Sequence, residues 1–424
     1  MQTLELEPLK LTISGEYYDS QIYDSRLFLW KADGSILVLD WDKLVDSVAI
    51  DENLKTVFTL TLKYGRKLYE NLLIKDAEIK TLVMQKLKKL SSVVIDISER
   101  DLTKYIFRLQ DNPFPFPHAD SFIHYKTLYV GSQSGVSRSR GISLNSGIEK
   151  LWDAPVLSLT ASNKTLAIAA GSEGLFDYSV DDSFSENSNE PRNITEEHSN
   201  FARWMYPGIF SSSYFNDGYF ADFQEIKEPK SKRKEFRSGE NVKQLSLFPR
   251  FPEDLFLTSL PENSSVSNSS RKLKKLFPIN EIFTEEARTK PPIFTWGARD
   301  KICLVTEDSI ELVRCFPREK KEAKKFESLG STVVEDLTGD IVSADSSFFG
   351  IVLEEEDSLL VINSLLQHKR FPGEPVNWRV FPDSVNYVNQ LHIIYEDSIH
   401  IYFFTHDYFL NQKDKIIGMS FGTE

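Results

Sequence analysis

Short apolar runs, split by small polar turns, recur along the whole chain. Arg26-Leu27-Phe28-Leu29-Trp30 leads into Asp33-Gly34, and Ile36-Leu37-Val38-Leu39 leads out. Nearly the same turn returns three times, as Glu307-Asp308-Ser309-Ile310, Glu356-Asp357-Ser358-Leu359 and Glu396-Asp397-Ser398-Ile399. Three more pairs share the pattern with a different turn. Thr127 to Val130 precedes Ser134-Gly135, Thr165 to Ile168 precedes Ser172-Glu173-Gly174, and Ile209-Phe210 and Tyr214-Phe215 flank Asn216-Asp217-Gly218. Each pair predicts a β-hairpin, because tight hairpin loops need positive φ, which Gly, Asn and Asp tolerate best. In the Glu-Asp-Ser turns the Asp side chain is expected to cap backbone amides.

Four of the six intervals between successive turns are of one length, roughly the 40–50 residues of a four-stranded propeller blade. The two overlong intervals follow the first and the fourth hairpin. The pattern therefore predicts an all-β fold, a seven-bladed β-propeller occupying 1–424 as a single domain. It carries a short helical insertion after the first blade and a long loop-rich insertion after the fourth. Leu9 to Ile13 alternates as a closing strand should, so it is expected to complete the last blade beside Ile399 to Phe404. The tail Ile416 to Glu424 is extra to that ring.

The first insertion, 50–112, reads as a hairpin over Val57 to Leu73, turning at Tyr64-Gly65, followed by an amphipathic helix over Asp76 to Ser91. Ile79, Leu82, Val83, Leu87 and Leu90 share one face of that helix, and Asp76 is placed to cap it. Such a helix packs on its own domain, docks a partner or lies on a membrane surface. Residues 181–200 read as a flexible polar loop. Residues 227–290 read as a basic, partly disordered insertion that includes the Ser/Asn-rich stretch Pro261 to Ser270.

With seven hairpins in place, the chain resembles the WD-repeat and related β-propellers over most of its length. No blade carries their Gly-His and Trp-Asp signature pair. The resemblance implies an interaction platform in most such proteins and, in a minority, an enzyme with its chemistry at the central channel.

Composition adds a charge asymmetry. The net charge is −13, yet residues 227–325 hold 22 Lys/Arg against 15 Asp/Glu. Three clusters make up this basic sector: Lys230, Lys232, Arg233, Lys234 and Arg237; Arg271, Lys272, Lys274 and Lys275; and Arg318, Lys320, Lys321, Lys324 and Lys325. Phe236, Phe277 and Phe326 sit beside them. Such residues read as solvated loops, as a surface for an acidic protein, or as a nucleic-acid contact in which Phe stacks on bases. Arg138 and Arg140, in the Ser/Gly-rich stretch 131–141, form the nearest thing to an anion-binding loop.

No metal-ligand spacing, phosphate-cradling Gly-rich loop or nucleophile elbow is present, so no cofactor or metal is assigned. His392, His400 and His406 in the last blade read as strand histidines with polar partners. Glu354 to Asp357 reads as a solvated acidic turn. Cys303 and Cys315 are too few for a disulfide framework and read as reduced, one of them buried. No basic, apolar leader opens the sequence and no run is long enough to cross a bilayer, so a cytoplasmic protein is expected. The functional readings are a non-catalytic scaffold or recognition subunit of a multiprotein complex, a nucleic-acid-associated factor using 227–325, or an enzyme at the channel mouth.

Overall fold

The structure is a computed structural model. It describes the chain except for residues 1, 5–6, 67–75, 142–143, 145–146, 163–164, 181–190, 206–207, 214–217, 226–270, 286–288, 291, 308, 316–324, 335–336, 338–339 and 406–424. Seven sheets follow one another along it, each built on four antiparallel strands; two carry a fifth, parallel strand, Gln2–Thr3 beside Gln367–Pro372 and Val94–Ile97 beside Leu9–Ser14. Blade 1 holds Tyr17–Tyr23, Arg26–Lys31, Ile36–Asp40 and Ile106–Gln110. Blade 2 holds Asp120–His124, Thr127–Ser132, Gly135–Arg140 and Ile148–Trp152, and blade 3 holds Ser158–Ser162, Thr165–Ala169, Leu175–Ser179 and Arg192–Thr195. Blade 4 holds Phe201–Met205, Gly208–Ser212, Gly218–Glu225 and Arg271–Pro278, and blade 5 holds Pro292–Ala298, Lys301–Thr306, Ser309–Cys315 and Phe326–Val333. Blade 6 holds Ile341–Ser347, Gly350–Glu355, Ser358–Ile362 and Gln367–Pro372. Blade 7 holds Asn377–Val380, Gln390–Ile394, Ser398–Phe403 and, from the other end of the chain, Leu9–Ser14. The first strand of each blade touches the first strand of the next, and that of blade 7 touches that of blade 1. The ring is therefore closed around a central channel, and the fold is the expected seven-bladed propeller.

Every hairpin marked by a turn joins the second and third strands of its blade, although Asp308 and residues 214–217 lie outside the described residues. These two middle strands are apolar on both faces for a geometric reason. One face meets the preceding blade and the other the following one. In blade 1, Leu27 and Leu29 pack toward blade 7, while Phe28 and Trp30 pack toward blade 2. In blade 5, Ile302 and Leu304 join blade 4, while Cys303 and Val305 join blade 6. The core is thus a set of slabs, one between each pair of neighbouring blades. Both cysteines lie buried in these slabs. The amide cap expected of the Glu-Asp-Ser turns is seen instead in the Asp33 turn, with Ser35 N–H donating to Asp33 Oδ1 at 2.8 Å; Asp397 takes the Ser398 hydroxyl.

The largest slab lies at the seam between blades 7 and 1, where the helical insertion packs. The insertion departs from the sequence reading. Val57 to Lys63 is not a hairpin strand but part of helix α2 (Glu52–Lys63), which follows α1 (Trp41–Ser47). Leu54, Val57, Phe58, Thr61 and Leu62 fall at i, i+3, i+4, i+7 and i+8, a helical stripe, and Asp51 caps the first turn by accepting from Asn53 N–H. β-branched and aromatic residues lean toward strand, but burial of that stripe decides the outcome. The amphipathic helix forms as expected, as α3 (Ala77–Leu90), with Asp76 accepting from Glu78 and Ile79 N–H. Its C-terminal Leu87 and Leu90 are buried in the seam slab, whereas Ile79 and Leu82 remain exposed.

The expected insertions are also shorter than their intervals. Ile106–Gln110 is the fourth strand of blade 1, and Val94–Ile97 adds in parallel to Leu9–Ser14 as a fifth strand of blade 7. Within 181–200, Arg192–Thr195 is the fourth strand of blade 3. Within 227–290, Arg271–Pro278 is the fourth strand of blade 4, with Leu273 and Leu276 turned onto the core. A fourth strand has an outer edge in water, so its polar and basic content resembles a loop in sequence.

The N-terminal strand closes the ring beside Ile399 to Phe403 as expected, with Leu9 opposite Phe403 and Ile13 opposite Ile399. Leu11 is fully buried at its centre. Leu11→Ala is therefore expected to cost about 2–5 kcal/mol of unfolding free energy. Lys10→Ala on the same strand is expected to change it by about 0.5 kcal/mol or less. Chemical denaturation of the two variants checks the difference.

Candidate functional site

A second repeat lies in the first strands, which line the channel. Asp19-Ser20, Asp120-Ser121 and Asn377-Trp378 occupy equivalent positions in blades 1, 2 and 7, and Asp345-Ser346 lies two residues further along the first strand of blade 6. In each, the Asx oxygen accepts the next residue's own N–H, at 2.8, 2.8, 2.7 and 2.8 Å. The remaining lone pairs are free to reach a neighbouring blade. Asp120 Oδ2 accepts Leu159 N–H of blade 3 at 2.7 Å, and Asn377 Nδ2 donates to the Tyr18 carbonyl of blade 1.

Asp19 is the most heavily used of the four. Its Oδ1 accepts from Ser20 N–H, Arg379 Nε at 2.8 Å and Asn377 Nδ2 at 3.2 Å. Its Oδ2 accepts from Arg379 NH2 at 2.9 Å, His118 Nε2 at 2.8 Å and Ser121 Oγ at 2.7 Å. Arg379 also donates NH1 to Asp120 Oδ1 at 2.7 Å. One guanidinium thus joins blade 7 to blades 1 and 2. Burial by itself raises the pKa of Asp19, but Arg379 and the His118 hydrogen bond outweigh it and hold the carboxyl well below the usual range. Burial likewise lowers the pKa of Arg379, and its two carboxylates more than reverse that. A carboxylate with both oxygens saturated is a structural tie and not a base.

The opposite wall has a looser counterpart. Arg203 of blade 4 reaches Asp383 of blade 7 at 3.1 Å and Asp345 of blade 6 at 3.6 Å. Burial pushes the Asp345 carboxyl up, an effect that Arg203 opposes only in part. His392, fully buried in blade 7, accepts from Ser20 Oγ at Nδ1 and donates from Nε2 to Gln390 Oε1, each at 3.0 Å. Gln390 Nε2 in turn donates to the Leu62 carbonyl in α2. His392 is therefore neutral in the fold.

The sequence candidates lie elsewhere. Lys230, Lys232, Arg233, Lys234 and Arg237 are outside the described residues, as are Arg318, Lys320, Lys321 and Lys324. Arg271, Lys272, Lys274 and Lys275 are on the outer strand of blade 4. Lys272 and Lys274 are exposed. Lys275 pairs with Glu281 at 2.6 Å, and Lys325 pairs with Asp222 at 2.9 Å. Phe277 and Phe326 pack edge to face, 5.1 Å apart, with Phe220 behind them. Arg138 is buried in blade 2 and pairs with Glu149 at 2.9 Å, and Arg140 reaches the same carboxylate at 3.4 Å. That stretch is a strand with an internal ion pair. The channel network escaped the sequence reading because its partners lie 99 to 360 residues apart. The recurring Asp-Ser at the start of a strand was the available signal.

Strand direction gives the disc two distinct faces. Connections between first and second strands, and between third and fourth, emerge on one face; second–third turns emerge on the other. Both long insertions join a third strand to a fourth, Asp40 to Ile106 in blade 1 and Glu225 to Arg271 in blade 4. The third basic cluster joins Cys315 to Phe326 in the same way. All of them leave from one face. The contact of α2 with blade 7 agrees, since Gly65 N–H donates to Asn386 O in a first–second loop. A Cβ at Gly65 would lie 1.9 Å from Asn389 Oδ1, so only glycine permits that approach.

No protein-family model and no curated protein matches the chain. Among solved structures it is similar to the β-propeller domain of Cps50 (Swd1) from Myceliophteria thermophila, at 7% identity and a TM-score of 0.47 over 93% of this chain and 98% of that one. It is similar to the WD40 domain of Pan2 from Neurospora crassa, at 7% identity and a TM-score of 0.45 over 95% and 97%. It is also similar to the AfRom2 CNH domain, at 12% identity and a TM-score of 0.35 over 68% and 94%. These likenesses concern the fold. Among the described residues no helix is long and apolar enough to cross a membrane.

The environment of His392 has a measurable consequence. Burial lowers its pKa from 6.5 to about 3. The unfolded chain therefore binds a proton near pH 6.5 that the folded chain refuses until about pH 3. Stability from this group is complete above pH 6.5 and is lost as pH falls toward 3, with a slope approaching ~1.4 kcal/mol per pH unit. Denaturation midpoints measured across that window are expected to show a flatter slope in His392→Gln than in the parent. An unchanged slope means the proton is taken up elsewhere.

Proposed function

We propose that this protein is a non-catalytic interaction platform, a scaffold or recognition subunit of a multiprotein complex, and that it recognises its partner with the insertion-bearing face. One observation carries the reading: both long insertions and the connection that holds the third basic cluster join the disc on a single face, and the second cluster lies on the outer strand of blade 4 that follows one of them, so the basic sequence falls on the neighbouring blades 4 and 5. A closed ring of interlocked blades supplies a rigid base on which variable connections can be presented. Clustered Lys and Arg on an otherwise acidic body favour an acidic surface on the partner and steer its approach.

The acidic partner is favoured over nucleic acid by the state of the aromatics. Base stacking needs an open ring face, whereas Phe277 and Phe326 are packed against each other and against Phe220. Lys275 sits over Phe277, 4.3 Å from its centroid, which further occupies that ring.

The test is charge reversal at two exposed positions, Lys272→Glu with Lys274→Glu, in the full chain. The double variant is expected to fold with an unchanged unfolding midpoint and to lose most of the partner that co-purifies with the parent at low salt. Retention of that partner at parental levels overturns the reading. Salt-sensitive binding of polynucleotide by the parent, lost in the variant, transfers the face to nucleic acid.

A further inference from the structure

Arginine is rarely left without a carboxylate in a half-buried place, and one in this molecule is. Arg299 sits in the turn between the first two strands of blade 5, at the channel mouth on the insertion face. Among the described residues no carboxylate lies within ion-pair distance of it, and its hydrogen bond is a long one, NH1 to the Pro382 carbonyl at 3.4 Å. The neighbouring Asp300 is turned away, pairing with Lys301 at 3.0 Å and Arg314 at 3.5 Å. The guanidinium has five N–H donors in a fixed fork, so most of its capacity is unused.

The surroundings are cationic as well. The Arg299 guanidinium carbon lies 5.1 Å from the centroid of the Phe348 ring in the corresponding turn of blade 6, and Arg66, just past the end of α2, approaches the same ring at 6.0 Å. Arg203 lies on the channel wall nearby, held by Asp383. Burial lowers the pKa of Arg299; Asp383 and Asp300 oppose that, and the repulsion of Arg66 and Arg203 adds to it, leaving the group below its usual value. Its backbone is in the left-handed region, φ +56, as are Ser25 and Lys126 in the corresponding turns of blades 1 and 2. Two guanidinium groups, from blade 5 and the helical insertion, thus flank one buried ring, and Arg203 of blade 4 is near enough to repel the charge of Arg299, with Asp383 as the exposed carboxylate beside them.

We propose that Arg299, Arg66 and Arg203 form a binding site for an oxyanion of the phosphate class at the channel mouth, seated against Phe348. Phosphate offers several acceptor oxygens around one centre, which suits guanidinium forks arriving from different directions. Asp383 is its built-in competitor, since its side chain is largely exposed and can swing away from Arg203. This site is separate from the lysine-rich rim of blade 4 and does not depend on that rim's partner.

The experiment is calorimetric titration of the full chain with inorganic phosphate, pyrophosphate and glycerol phosphate. Saturable binding of at least one, with a dissociation constant of about 1 mM or tighter, is expected. Arg299→Gln is expected to weaken it by about tenfold or more, while Lys272→Glu leaves it unchanged. Preference for the inorganic ions assigns the site to free phosphate, and preference for the ester assigns it to a phosphate carried on a larger molecule. No saturable binding of any probe to the parent overturns the proposal, and so does equal binding by Arg299→Gln. If Arg299→Gln does not fold, Arg66→Gln takes its place with the same expectation.

Discussion

Asp19 has no exposed surface, and the seam of the ring is arranged around keeping its charge. A lone buried carboxylate costs several kcal/mol of lost hydration. Here two bonds from Arg379, with further donors from blades 1, 2 and 7 and from His118, replace that water. The replacement exists only when blades 7, 1 and 2 are all in place. The same seam is where Leu9–Ser14 enters blade 7, where Val94–Ile97 adds beside it, and where α1, α2 and α3 bury their apolar stripes. A ring is closed at one joint only, and this molecule places its most heavily bonded carboxylate, its largest apolar slab and helices α1, α2 and α3 there.

That arrangement divides labour across the disc. The channel half near the second–third turns is bolted by Arg379, whose guanidinium is shared between Asp19 and Asp120. The half near the insertions is looser: Arg203 spans to Asp345 at 3.6 Å, and Arg299 has no carboxylate at all among the described residues. The insertions and basic clusters emerge on that looser face. The picture is of a rigid base with its recognition elements on one side.

The ring was legible in the sequence because its tightest constraint is local. A tight reversal favours Gly, Asn or Asp, so Asp33-Gly34, Gly174 and Gly218 mark strand pairs without knowledge of the rest. Leu9 to Ile13 was legible for the same kind of reason, since alternation shows a half-buried strand. Fourth strands such as Arg271–Pro278 were not, because one edge faces water and their composition is that of a loop. Helix α2 was hidden by Val57, Phe58 and Thr61, whose strand preference is overruled by packing into the seam. Nothing local marks Asp19 and Arg379 as partners, and Arg299 looks like any surface arginine until Phe348 and Arg66 are brought beside it.

The central claim is that the Asp19–Arg379 bridge fastens the joint of the ring. A double-mutant cycle with Asp19→Asn and Arg379→Met, followed by equilibrium unfolding, measures it directly. Each single change is expected to cost about 3–5 kcal/mol, because it leaves a buried group without its partner. The double variant is expected to be more stable than the sum of the two costs implies, by at least about 1.5 kcal/mol. Costs that add to within about 0.5 kcal/mol would show that the two residues act independently and contradict the account.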